Sequence, residues 1–170
     1  MTTAQTVSLV LAAIACACDL RTRRIPRALT LGGAVAGLVF HVVTGGWTAG
    51  ASSVAGWIVG IAILLVPFAL GGLGGGDVKL LGALGAWLGP VNAIWLGLYT
   101  GIAGGAIALL IALSTSYLSQ AITNIRSLLA HWRANGVTPL AEITLRHSRG
   151  PRVAYAIPIL AGTMATLWLR

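Results

Sequence analysis

Three acidic side chains occur in this chain of 170 residues: Asp19, Asp77 and Glu142. The two aspartates each stand where an apolar stretch meets a short turn. Asp19 precedes Arg21, Arg23 and Arg24, and Asp77 follows Gly74, Gly75 and Gly76, two residues before Lys79. A carboxylate near a hydrocarbon interior costs roughly 2.5–3.5 kcal/mol, so a chain that has shed nearly all of its acids keeps two there for use. The chemistry open to such a pair is acid–base catalysis. Carboxylates about 4 Å apart at an effective dielectric of about 20 repel by roughly 4 kcal/mol, about three pKa units, so near neutrality they share one proton. The ionised partner can activate water while the protonated one donates to a carbonyl oxygen. Which aspartate acts as base stays open, because a coupled pair titrates as a unit. The alternative use of the same two acids is ion or proton coupling in a small membrane transporter.

The elements that position these acids are membrane helices. Hydrophobic residues make up 57% of the chain and charged ones 8%, which describes an integral membrane protein rather than a water-soluble domain. Apolar stretches run over 6–18, 29–43, 51–70, 78–88, 91–115 and 153–169. The expected architecture is therefore all-α, a single polytopic bundle of about six transmembrane helices over residues 1–170. Several stretches are shorter than the roughly 20 residues of an upright span and must borrow flanking residues or thin the bilayer.

Charge orients the bundle, since Lys and Arg collect in cytoplasmic loops. With the N-terminus outside, the cytoplasmic loops are 19–28, 71–77 with Lys79 at its edge, and 116–152. They hold Arg21, Arg23, Arg24, Arg27, Lys79, Arg126, Arg133, Arg146, Arg149 and Arg152, leaving Arg170 alone elsewhere. Both aspartates then reach the cytoplasmic membrane face. The net charge of +8 is explained by this topology and by anionic lipid, so no nucleic-acid partner is expected. The first apolar run lacks a basic start, which makes it a retained span rather than a cleaved leader.

Other features position rather than react. The pairs Gly33/Gly37 and Gly56/Gly60 and the series Gly97/Gly101/Gly105 put small residues on one helix face for close packing in lipid. In the third cytoplasmic loop Leu118, Ala121, Ile122, Ile125, Leu128, Leu129 and Trp132 recur at helical spacing before an Asn135-Gly136 stop, which predicts an amphipathic helix on the inner leaflet. Cys16 and Cys18 lack further metal-ligand partners and read as small buried thiols, with neither zinc nor a disulfide expected. His131 and His147 stand too far from other ligand residues in the sequence for a metal site and read as solvated or headgroup-level groups. Glu142, shortly after Thr138-Pro139, suits a helix start or a partner for a nearby Arg. No metal and no cofactor is expected.

The two aspartate motifs carry the specific signal. The first reads Asp19-Leu20-Arg21-Thr22-Arg23-Arg24-Ile25-Pro26, and the second Gly74-Gly75-Gly76-Asp77-Val78-Lys79 followed by a small-residue run ending Gly85-Ala86-Trp87-Leu88-Gly89. In this order and on one face, they resemble the type IV prepilin peptidase family, a group of GxGD membrane aspartic proteases. The resemblance implies that Asp19 and Asp77 are the catalytic pair, that Gly74 and Gly76 are the motif glycines, and that the substrate is a prepilin or pseudopilin. In such a substrate a basic leader joins an apolar helix, and cleavage falls at their junction. Gly74–Gly76 would let an extended substrate backbone approach, and Arg21, Arg23, Arg24 and Lys79 are contacts for lipid or substrate.

The chain departs from the pattern in two places. Arg27 stands where the family usually has Asn, and the late proline motif reads Tyr155-Ala156-Ile157-Pro158-Ile159. Longer members carry a cytosolic insert with paired cysteine motifs and also methylate the new N-terminus. This chain lacks the insert and so resembles the short, peptidase-only form that serves Flp/Tad-type pilins. A presenilin-like protease fits less well, because Cys18-Asp19 replaces Tyr-Asp and no Pro-Ala-Leu motif occurs. A noncatalytic assembly protein would leave the aspartate pair unexplained.

Overall fold

The computed structural model describes residues 1–115, 118–136, 138 and 154–169. Within them the chain is all-helical: α1 (Thr3–Thr22), α2 (Arg27–Ala69), α3 (Gly75–Ser114), α4 (Leu118–Asn135) and α5 (Ala156–Leu169). α1, α2 and α3 are long and apolar enough to cross a membrane, and α5 is a shorter apolar helix. Many large apolar side chains, among them Val39, Val43, Trp47, Ile102 and Leu110, stand exposed on the outside of the bundle, as lipid-facing surface requires.

Neither α2 nor α3 is one straight rod. Each contains a single non-helical residue, Gly46 (φ 69°, ψ −163°) and Gly89 (φ 79°, ψ 171°), in a region of backbone space that is essentially glycine's alone. The chain reverses at both. Leu31 and Ile61 line one cavity although 30 residues of straight helix would separate them by about 45 Å. Across the second turn Ala93 lies against Gly85. The arms 27–45 and 47–69 of α2, and 75–88 and 90–114 of α3, are therefore antiparallel hairpins. The turns fall in the gaps between the apolar stretches 29–43 and 51–70 and between 78–88 and 91–115. Pro90 opens the second arm of α3, where its missing N–H costs nothing.

The first arm of α3 is the axis of the molecule. From Asp77 to Trp87 every residue except Lys79 is buried, because α1, both arms of α2, the second arm of α3 and α5 gather round it. Glycine permits the closest of these approaches. A side chain at Gly56 would strike the Gly85 backbone, and one at Gly60 the carbonyl of Leu81. Gly33 and Gly37 instead leave room for side chains, Leu11 and the Trp87 indole. The series expected at Gly97/Gly101/Gly105 divides. Gly97 packs on Ile63, whereas Gly101 and Gly105 face open space, so only the first of the three serves packing within the described chain.

Breaking α3 at Gly89 strands the last carbonyls of its first arm, where Ala86 and Trp87 are buried among neighbouring helices. Side chains supply the donors. Ser53 Oγ donates to the Ala86 carbonyl (2.8 Å), His41 Nε2 lies 3.0 Å from that of Trp87, and Asn92 Nδ2 donates to that of Leu88 (3.0 Å). A carbonyl only accepts, so the proton of His41 is assigned to Nε2. The Trp87 indole N–H in turn donates to the Gly33 carbonyl (2.8 Å), tying this end to the first arm of α2.

α4 is the amphipathic helix expected from 118–132, and Gly136 ends it at φ 75°, its N–H donating to the Trp132 carbonyl (3.0 Å). Leu118, Ile122, Ile125 and Leu129 are exposed, and among the described residues α4 meets the bundle sparsely, chiefly at α3. His131 Nε2 lies 2.9 Å from the Thr138 hydroxyl. Glu142, His147, Arg146, Arg149, Arg152 and Arg170 lie outside the described residues.

Candidate active site

Asp19 is carried by α1 on a stripe spaced at three and four residues: Ser8, Leu11, Ala12, Ala15, Cys16 and Asp19 are the buried residues of that helix. It lies one turn before the helix end rather than in the loop that the sequence suggested. Arg23 closes the helix in a left-handed conformation (φ 54°), with its N–H on the Asp19 carbonyl (2.9 Å). The connection to α2 shrinks to Arg23–Pro26, so the acid is held by helix geometry. The stripe has one consequence for chemistry: a carboxylate on it faces the interior instead of lipid.

Asp77 sits in the first turn of α3. Gly74 is the residue before that helix, extended at φ −83° and ψ 144°, and its N–H donates to Asp77 Oδ2 (3.3 Å). An acid at a helix N-terminus is favoured by the unpaired N–H groups there. Each glycine of the motif then has its own neighbour. A side chain at Gly74 would press on Asp77 Oδ2, at Gly75 it would meet the Phe68 ring, and at Gly76 it would meet Ile25. Gly75 and Gly76 are helical, so the extended segment available to a partner strand is shorter than a three-glycine loop would give. The Gly76–Ile25 contact seats the second motif directly on the first.

The fold brings the two acids to one end of the bundle. Asp19 and Asp77 are each 9% exposed, 58 residues apart in sequence, and their carboxylates lie within electrostatic reach of each other. Lys79, two residues on, points the other way, because positions i and i+2 of a helix face apart. It is exposed, as are Arg21, Arg23 and Arg24, so these cations ring the site rather than enter it.

Tyr155 joins this end as well. Its ring lies against Gly104, brought back to the level of Asp77 by the Gly89 turn, and it interacts electrostatically with Asp77. The sequence offered Tyr155 only as part of an altered late motif, since nothing local tells which helix a residue before the last span will face. Among the described residues no group of three His, Cys, Asp or Glu side chains is placed to hold a metal ion, and Cys16 and Cys18 are free thiols.

Buried paired carboxylates borne by two separate helices suit hydrolysis of a bond presented at the end of the bundle. Residues 6–109 match the model of the type IV leader peptidase family, a stretch that contains both aspartates, both motifs and both glycine turns. The chain belongs to that family. The match confirms the resemblance carried by the two motifs, and it covers α1, α2 and most of α3. No curated protein and no solved structure matches the chain. As a family member the chain is a peptidase of the membrane, and its axial helix is the one that bears the GxGD motif.

Proposed function

We propose that this leader peptidase is an aspartic endopeptidase that removes the basic leader of type IV prepilins or prepilin-like proteins at the cytoplasmic membrane face. The observation that carries the reading is the pairing of Asp19 with Asp77, both buried and both at the end of the bundle where α1 ends and α3 begins. Six spans follow if α1, the two arms of α2, the two arms of α3 and α5 each cross. The ends bearing Arg21–Arg27 and Lys79 then face the cytoplasm, and the N-terminus lies outside. α4 lies on the inner leaflet with its apolar face in the acyl boundary.

In the reaction one aspartate is ionised and takes a proton from water as the water oxygen attacks the scissile carbonyl carbon. The other, protonated, donates to the carbonyl oxygen. When the tetrahedral intermediate collapses, the C–N bond breaks and the new amine leaves with the proton that came from water. The leader keeps the water oxygen in its new carboxylate. No metal or cofactor takes part. A peptide bond inside an intact helix is shielded, so the substrate must be extended at the cut, and the Gly74 segment is where such a strand fits.

Co-expression with small pilin-like proteins that carry a basic leader before an apolar helix tests the proposal. N-terminal mass analysis should find the leader lost with the intact chain. Retention of every leader beside a correctly inserted chain would refute prepilin cleavage.

A further inference from the structure

Arg27 and Lys79 belong to elements 52 residues apart in sequence, yet they open on one cavity of about 210 Å³. Thr30, Leu31, Trp57 and Ile61 complete its wall, and none of these lining residues is acidic. A second cavity, of about 230 Å³, shares Leu31 and Trp57 with the first and continues along Ala34, Val35, Leu38 and Val54, between the two arms of α2 and the first arm of α3. Leu31, Val35, Val54 and Trp57 are exposed, so this groove opens sideways on the lipid-facing surface. Its two ends differ in chemistry. Two cations stand at the end shared with Asp77, and a narrow apolar channel leads away from them.

We propose that this groove binds one anionic phospholipid, its phosphate between Arg27 and Lys79 and an acyl chain along Leu31, Val35, Val54 and Trp57. Charge complementarity selects the headgroup: guanidinium and ammonium pair with phosphate, and no carboxylate among the lining residues competes. The apolar continuation selects a lipid over free phosphate, which would leave the channel unfilled. The volumes suit a single chain better than a helix, which is about 10–12 Å across. The bound phosphate bridges the start of α2 to the start of α3, the two segments whose Ile25 and Gly76 are already in contact beside the acids. The lipid is thus a brace on the outer side of the site, opposite the face that Asp77 presents.

The test uses the full chain in phosphatidylcholine vesicles doped with phosphatidylglycerol whose acyl chains are brominated. Bromine quenches indole at contact, and the part of the quenching lost in Trp57→Phe reports the groove. At about fivefold per cation, phosphatidylglycerol should be preferred over brominated phosphatidylcholine by roughly twenty-five-fold. Arg27→Gln/Lys79→Gln should abolish the preference, while the charge-conserving Arg27→Lys/Lys79→Arg, which also controls for folding, retains most of it. Equal quenching by the two lipids, or an unchanged preference in the uncharged double variant, overturns the proposal. Displacement of the brominated lipid by inorganic phosphate reassigns the cations to a free anion, and displacement by an apolar peptide bearing one acid reassigns the groove to substrate. Either result also overturns it.

Discussion

The two ends of the axial helix 75–88 are built from the same materials, glycine and a few polar groups in an apolar bundle, and put them to opposite uses. At the far end Gly89 breaks the helix, and Ser53, His41 and Asn92 answer the Ala86, Trp87 and Leu88 carbonyls one for one. There polarity is spent on the backbone. At the near end Gly74 leaves room for a carboxylate whose described hydrogen bond is a single long one from the Gly74 N–H, with a second carboxylate within electrostatic reach. A bundle in lipid tolerates poorly satisfied polar groups only at a cost, so the contrast separates the end that holds the fold from the end proposed to do chemistry.

The sharpest way to break this contrast is to neutralise the acids. Asp19→Asn and Asp77→Asn change volume little and remove the titrating group, so each should lower leader cleavage by about 10²–10⁴-fold. Membrane insertion and thermal stability should hold or improve, because mutual repulsion of the pair is removed. Single-turnover cleavage at matched folded abundance is the measurement. Near wild-type cleavage by either variant would put the chemistry elsewhere.

Next in size is the space around Asp77. At Gly76 a β-carbon would stand at ordinary contact distance from Ile25, so Gly76→Ala should be tolerated. Gly76→Val adds two methyls against Ile25 and shifts the first turn of α3 off the Arg23–Pro26 connection. A displacement of about 1 Å at a reacting group costs on the order of a hundredfold, and cleavage should fall by that order. Equal activity of the two variants would mean that the motif junction does not set the carboxylate geometry.

Much of this was legible in the sequence, and the reasons differ by element. The two aspartates stood out because acids are rare here, and their motifs gave order and likeness. The helical class followed from composition, and the glycine breaks from uncharged Gly-rich segments between apolar runs. What the sequence withheld was partnership across the fold. Nothing near His41 or Ser53 reveals that they cap carbonyls 46 and 33 residues away. Tyr155 was visible only as a departure from a pattern and Arg27 only as that and as one loop cation among several, because which face of a helix meets which neighbour is decided by the hairpin turns. The periodic Gly97/Gly101/Gly105 series misled for the same cause: spacing marks a face but not whether anything packs on it.

At the far end the expected effects fall on stability instead of catalysis. Ser53 is buried, and Ser53→Ala leaves the Ala86 carbonyl without its donor, which should cost about 1–3 kcal/mol. His41→Phe should cost a similar amount by stranding the Trp87 carbonyl. Thermal unfolding in micelles should register both losses, with cleavage per folded molecule essentially unchanged. A fall in turnover without a fall in stability would show that the two ends are coupled through the helix.

The smallest effect is expected at Gly105, and it calibrates the rest. Gly46, in the outer turn, is no neutral reference, because its φ of 69° and ψ of −163° exclude ordinary side chains, and Gly46→Ala or Gly89→Ala should cost about 1–3 kcal/mol. Gly105 is helical and exposed, and among the described residues nothing lies within 4 Å of where a β-carbon would stand. Gly105→Ala therefore meets no neighbour and gains the helix preference of alanine, a stabilisation of about 0.5–1 kcal/mol with cleavage unaltered. The unfolding midpoint should rise slightly. A clear fall would mean that this face of α3 is covered in the membrane by a second copy or a partner helix, and that the small-residue series continues into an interface beyond the chain.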